Sequence, residues 1–251
     1  MWTRSELKSY AKAKLAYSYW PIVGVTFLVG LIPTLLNFEI PTDQMYELGY
    51  ISGDTYYLLA FVNLIIVFAG FFLGIFVFGP LKVGLLRYYI NQETRTASIS
   101  DLFYPFKHNY WNVVGVLFLQ GLYTFLWTLL FLIPGIIKGY EYLMIPYLLA
   151  EKPDMKASEV FKATKRMMDG NKWDTFVLYL SVIGWIFLAI LTIGLLDIFF
   201  VTPYLGLTMS ELYLTLKSRV DYLFDDFESG EQVVQTEETT QYSYWSPYDN
   251  Q

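Results

Sequence analysis

Three times along this chain a short amphipathic polar stretch leads to a tryptophan and then to a long apolar run ending at Gly or Pro. The first copy runs from Ser5-Glu6-Leu7-Lys8 through Trp20 to Ile32-Pro33. The third runs from Ser158-Glu159-Val160-Phe161-Lys162 through Trp173 to Ile193-Gly194, with the same serine-to-tryptophan spacing. The middle copy is looser: Ser98, Asp101, Leu102, Phe103, Phe106 and Lys107 lead to Trp111 and an apolar stretch ending at Ile133-Pro134-Gly135. Internal repetition constrains a fold more than any single segment, because each copy must form the same unit and pack on its neighbours. The unit these copies predict is a membrane hairpin introduced by an amphipathic helix.

Composition places that unit in lipid. The chain has 251 residues, is 55% hydrophobic and carries only 16% charged residues, against about 25% in soluble domains. Uncharged runs reach the ~20 residues needed to cross a hydrocarbon core of about 30 Å. Helices are the expected spanning form, since lipid offers no partner to open backbone groups. The basic start and first apolar run superficially resemble a signal peptide. The run is too long for an h-region of about 7–15 residues and lacks a small-residue cleavage site, so an uncleaved first span is expected. The absence of cysteine removes thiolate nucleophiles, disulfides and Cys-based metal sites.

The predicted spans are 19–38, 58–77, 112–132, 135–150, 175–191 and 195–216. The fourth is short and carries Lys138 and Glu141, so a full crossing and a re-entrant segment are both open. Lys and Arg gather before span one, between spans two and three, and between spans four and five, while Glu39, Asp43, Glu47 and Asp54 occupy a loop without them. Positive loops stay inside, which predicts both termini in the cytoplasm.

The polar stretches read as helices on the inner surface. Thr3 and Glu6 form a capping box, followed by Leu7, Tyr10, Ala11 and Leu15 on one face. Val160, Phe161, Thr164 and Met168 share a face in the third copy, which Gly170 can end. Such faces could lie among acyl chains or on the bundle's cytoplasmic end. Trp20, Trp111 and Trp173 stand where each helix would enter its span, the place an amphipathic indole favours as an interface anchor. The returning segments each hold a proline, Pro80, Pro146 and Pro203, predicted to kink its helix. A bend at Pro80 would lay 81–90 along the inner surface. Gly70 and Gly74 form a small-xxx-small pattern, read as an intramolecular contact.

Ionisable residues at membrane depth are candidates by default. Lys138 and Glu141 are spaced for an ion pair, and Asp197 follows the turn at Ile193-Gly194. Together they form a candidate polar cluster in the outer layer, with snorkelling to the interface as the competing reading. Asn63 and Gln120 lie deep in spans two and three, where an interhelical hydrogen bond is worth about 0.6–2 kcal/mol. His108 is the sole histidine. No metal site, cofactor motif or nucleophile-and-base pair accompanies it, so no cofactor and no enzyme activity are expected. The acids of the tail, from Asp221 to Asp249, follow the last basic residue, Arg219. This predicts a membrane domain over 1–218, with units starting near 3, 98 and 156, and an acidic disordered tail over 219–251. The aromatic end Tyr242-Ser243-Tyr244-Trp245-Ser246-Pro247-Tyr248 is open to three readings: a tolerated terminus, a docking motif for a protein partner, or a membrane-touching end.

Several segments together resemble a known family. Ile133-Pro134-Gly135-Ile136-Ile137-Lys138, then Tyr142 to Tyr147 with Ala150-Glu151-Lys152-Pro153, then Ser158 and Met168-Asp169-Gly170-Asn171-Lys172 resemble domain-of-unknown-function family 975, a group of bacterial multi-pass membrane proteins. The resemblance spans about 1–217 and implies a plasma-membrane protein with no catalytic residues to carry over. The chain is also distantly similar to the membrane portion attached to some glycerophosphodiester phosphodiesterases, an analogy that does not fix function.

The expected fold is all-α: a polytopic membrane helical bundle of about six spans as three hairpins, each preceded by an inner-surface amphipathic helix. The expected function is that of a non-catalytic accessory or lipid-engaging protein whose partners are membrane lipids and a protein held by the tail, with no nucleic acid. A small transporter or channel and an intramembrane lipid enzyme are the alternatives.

Overall fold

A computed structural model describes residues 2–36, 40–192 and 194–218, and all regular structure among them is helical. The tail over 219–251, with its aromatic end, lies outside the described residues, as do Phe38, Glu39 and Ile193. α1 (Arg4–Tyr17) starts at the capping box: the Thr3 hydroxyl accepts from the Glu6 amide, and the Glu6 carboxylate accepts from the Thr3 amide. α2 (Tyr19–Leu36) leaves it at 98°. After α3 (Thr42–Glu47), helical structure runs unbroken for 39 residues through α4 (Gly53–Leu73), a π-turn (Gly74–Phe78) and α5 (Gly79–Asn91). At about 1.5 Å per residue this is nearly twice the ~30 Å hydrocarbon thickness.

The two halves of that long helix have different surroundings. α4 buries none of its side chains, whereas α5 buries Leu81, Val83, Leu86, Tyr88, Tyr89 and Ile90. Instead of lying on a surface beyond a bend at Pro80, α5 stands inside the protein core. A π-turn directly precedes the helix that holds Pro80, and helical structure continues through it.

A 3-10 turn (Ile99–Phe103) and α6 (Tyr104–Lys107) lead into α7 (Tyr110–Leu130). α8 (Leu132–Glu141) and α9 (Ile145–Glu151) then return along it. A Cβ added to Gly135 would lie 2.6 Å from the Thr128 Cα, and one at Gly139 would touch the Thr124 methyl. Further down, Gln120 donates to the Tyr142 carbonyl, and Asn112 donates to those of Pro153 and Met155. Residues 132–155 therefore run antiparallel to α7 from its last turn to its first. Small residues do the close packing here, as at membrane helix contacts. Gly70 and Gly74, in contrast, have no neighbour within 4 Å of an added Cβ. The close intramolecular approach expected of them is made by Gly135 and Gly139.

α10 (Ala157–Met168), α11 (Lys172–Leu180), α12 (Ile183–Leu191), a second π-turn (Asp197–Val201) and α13 (Thr202–Lys217) complete the chain. The core joins α1, α5, α9, α10 and α13. α1 packs on α13, the 3-10 turn on α5, and α10 on α9. The three pairings close on themselves, since each leading helix lies on the returning helix of the segment before it. The apolar stripes of α1 (Leu7, Ala11, Leu15) and α10 (Val160, Ala163, Met167) are buried in this core. Of the two readings open for them, packing on the bundle is the one observed. Three described helices are long and apolar enough to cross a membrane, Gly53–Asn91, Tyr110–Leu130 and Lys172–Leu191, and the bent α1–α2 pair would make a fourth.

Candidate functional site

A proline inside a helix removes the N–H that would bond the carbonyl four residues earlier. For Pro80, Pro146 and Pro203 those carbonyls belong to Phe76, Tyr142 and Phe199. Each receives a side-chain donor from another helix. The Tyr110 hydroxyl donates to Phe76 at 2.7 Å, the Gln120 amide to Tyr142 at 3.0 Å, and the Tyr19 hydroxyl to Phe199 at 3.1 Å. Each proline is the second residue of its helix, α5, α9 or α13. A π-turn, a turn over 142–144 and a second π-turn precede them. These positions were expected to be kinks, and the sequence reading missed their donors. The tyrosines directly before Trp20 and Trp111 were the available signal.

The residue before the third tryptophan is Lys172. Its ammonium lies 2.6 Å from the Glu141 carboxylate, which also holds Lys138 at 2.7 Å. Thr164 of α10 donates to the Glu141 carbonyl at 3.0 Å. The carboxylate side chain is 5% exposed, while the lysines are 24% and 31% exposed. A buried carboxylate is tolerable here because both its oxygens are engaged by cations. Lys138 also stands 5.5 Å from the Trp127 ring centroid and 5.7 Å from that of Tyr142, in reach of a cation–π attraction.

The structure therefore brings Lys138 and Glu141 together, with Lys172 as the third member. Asp197 is elsewhere: it opens the second π-turn, accepts from Thr202 at 3.2 Å, and lines a 260 Å³ crevice with Thr26 and Gly30. Glu141 was expected in an outer layer near the turn at Pro134. Since Tyr142 meets Gln120 at the middle of α7, Glu141 sits about halfway along that helix. The ten residues of α8 carry it there.

Trp20, Trp111 and Trp173 share one environment, each 73% exposed at the start of α2, α7 or α11. Asn63 holds the backbone of Ile40 through both amide atoms, at 2.9 and 3.2 Å, and donates to the Thr42 hydroxyl at the start of α3 at 3.4 Å. His108 stacks on Tyr104 at 4.0 Å and contacts the Tyr104 carbonyl, on the surface. Lys14 ties α1 to Glu93 and Glu211. Burial, and then repulsion from Lys12 and Arg4, pulls Lys8 below the usual lysine range. Among the described residues, no three metal-ligating side chains gather.

No curated protein and no solved structure matches the chain. The family described as "Protein of unknown function (DUF975)" matches residues 128–220. That stretch holds the return along α7, the Lys138–Glu141–Lys172 cluster and the last tryptophan unit, and over it the resemblance read from the sequence holds. Over residues 128–220 the chain is similar to the DUF975 family, as the resemblance in the sequence suggested.

Proposed function

We propose that this is a multi-pass protein of the bacterial plasma membrane, made of three helical hairpins with six spans and both termini cytoplasmic. It acts without catalysis by engaging membrane lipid and, through its acidic tail, a protein partner. The observation that carries this reading is the contrast between a packed end and an unpacked one. α4 has no buried side chain, and Phe61, Phe68, Phe125, Phe187 and Leu191 are all exposed. An apolar surface of that extent is stable only against lipid or another apolar partner.

The antiparallel run of residues 132–155 down the whole of α7 supports counting that segment as a crossing. The recurrence of tyrosine or lysine, then tryptophan, with a later proline supports the three-unit organisation. Because the stripes of α1 and α10 are taken up by protein, the inner helices engage lipid through their outward cations, such as Lys12, Lys162 and Lys165, all exposed.

Single cysteines at Ile133, 71% exposed, and at Asp154, also exposed, test the topology in a chain free of other thiols. Labelling from opposite sides of sealed vesicles supports the crossing. Labelling from one side makes the segment re-entrant and removes the six-span count. Crosslinking in native membranes, comparing the full chain with one truncated after Val220, tests the partner. Loss of a stoichiometric partner on truncation supports it, and no partner in either form ends that part of the reading.

One observation favours a transporter instead: a buried carboxylate between two lysines halfway along α7, with Asp197 in a separate crevice. Flux that survives unchanged in Glu141→Gln and Asp197→Asn would remove these residues from that reading. No flux at all would remove the class.

A further inference from the structure

We propose that the crevice between the α4–α5 helix and α7 binds one anionic phospholipid, its phosphate at the Lys82 ammonium and one acyl chain laid between the helices. This rests on the membrane reading above and deepens it by naming the ligand.

The crevice has a volume of about 600 Å³ and is walled by Phe71, Leu117, Leu122 and Phe125. Ligand sites commonly fall between roughly 300 and 1,000 Å³ and are mostly apolar with few polar groups. Glycines keep this one open. A Cβ at Gly74 or Gly121 would meet nothing within 4 Å, although both residues line the space.

Lys82 supplies the charge. It lines the crevice, is exposed, and has no carboxylate partner among the described residues. Other cations of the core are engaged: Arg87 with Asp101, Lys14 with Glu93 and Glu211, Lys217 with Glu151. A lysine can keep its stem on apolar surface while its ammonium reaches the headgroup layer. Basic pockets between membrane helices take anionic headgroups on this basis.

Two comparable crevices lie between neighbouring segments, and neither carries a cation. The one between α2 and the second π-turn holds Asp197, and the one between α7, α8 and α11 is lined by Thr124, Thr128, Tyr140 and Tyr179. Among these three crevices charge therefore favours the Lys82 crevice for an anion, and its apolar walls favour a lipid over free phosphate. A zwitterionic lipid brings its own ammonium beside its phosphate, which competes with Lys82 and weakens selection.

The test reconstitutes the full chain in vesicles containing equal amounts of phosphatidylglycerol and phosphatidylcholine, with one of the two carrying a photoreactive acyl chain. Crosslinks are mapped on α4 and α7, and flotation with the vesicles is recorded in every arm. Phosphatidylglycerol should label these helices at least ~5-fold more than phosphatidylcholine. Lys82→Gln should bring it down to the phosphatidylcholine level, and Lys82→Arg should retain it. Gly121→Phe, which fills open space, should abolish labelling by both lipids. Equal labelling by the two lipids, or selectivity that survives Lys82→Gln, overturns the inference while flotation leaves the membrane reading standing. A chain that does not float overturns both.

Discussion

Lys172 binds Glu141 at 2.6 Å from the position before Trp173 that Tyr19 and Tyr110 occupy before Trp20 and Trp111. The tyrosines answer carbonyls left short by Pro203 and Pro80, at 3.1 and 2.7 Å. In the remaining unit the Tyr142 carbonyl accepts both the Ile145 N–H and the Gln120 amide, and the lysine is released for the carboxylate one residue before Tyr142. One of three similar junctions has thereby become charged.

Replacing Lys172 with Leu leaves Glu141 with Lys138 alone and should cost about 1.5–3 kcal/mol, the worth of a hydrogen bond to a charged group. Lys172→Tyr restores a donor of the kind used at the other two junctions and should cost less. Thermal unfolding in detergent separates the two. Equal losses would mean that packing, and not the donor, matters at this position.

Tyr110→Phe and Tyr19→Phe each remove one hydroxyl and leave the Phe76 or Phe199 carbonyl short of a donor. A loss of about 1–3 kcal/mol is expected for each if the carbonyl stays dry. Tyr10→Phe, at an exposed residue of α1, is the control and should be neutral. Unfolding midpoints indistinguishable from the control would sink the idea that these hydroxyls support the proline junctions.

Gly135→Ala should be strongly destabilising, because its Cβ would stand 2.3 Å from the Thr128 hydroxyl oxygen and 2.6 Å from its Cα. α7 and α8 would have to separate. Gly70→Ala, with nothing within 4 Å, should leave stability unchanged or raise it slightly through helix propensity. The pair can be compared by the yield of folded protein on size-exclusion chromatography. A tolerated Gly135→Ala beside a damaging Gly70→Ala would reverse the assignment of which glycines bring helices together.

Lys8 should titrate below an ordinary lysine, chiefly from burial and secondarily from Lys12 and Arg4. The folded state holds this proton more weakly than the unfolded chain. In the window between the lowered value and the ordinary 10.5, the unfolded state therefore binds more protons, and α1 docking strengthens as pH rises. Lysine-resolved NMR should place Lys8 below Lys12. Lys12→Gln should recover only part of the difference, since burial is the larger cause. Full recovery would assign the shift to charge repulsion instead.

Much of the site chemistry was legible as residue type and not as partnership. The Lys138–Glu141 pair follows from helical spacing, because three residues bring two side chains onto one face. Lys172 and Asp197 could not be sorted the same way, since the choice depends on which helices are neighbours. Gly135 and Gly139 show the same small-xxx-small spacing as Gly70 and Gly74, so the pattern alone could not tell which pair meets a neighbouring helix. Gly135 and Gly139 meet Thr124 and Thr128 only through the tertiary arrangement.

The sequence by itself determined a helical, lipid-suited chain, the capping of α1, the tryptophan positions and the likeness to the DUF975 family over residues 128–220. Those features depend on local hydrogen bonding and on apolar length, which each segment carries within itself. Only the tertiary structure decided that α5 is core and α4 is not, although one continuous helix holds both. It also turned the stripes of α1 and α10 onto protein and brought a side-chain donor from another helix to the carbonyl four residues before each proline. These outcomes depend on which surfaces meet, and an apolar face reads the same in sequence whether lipid or protein covers it.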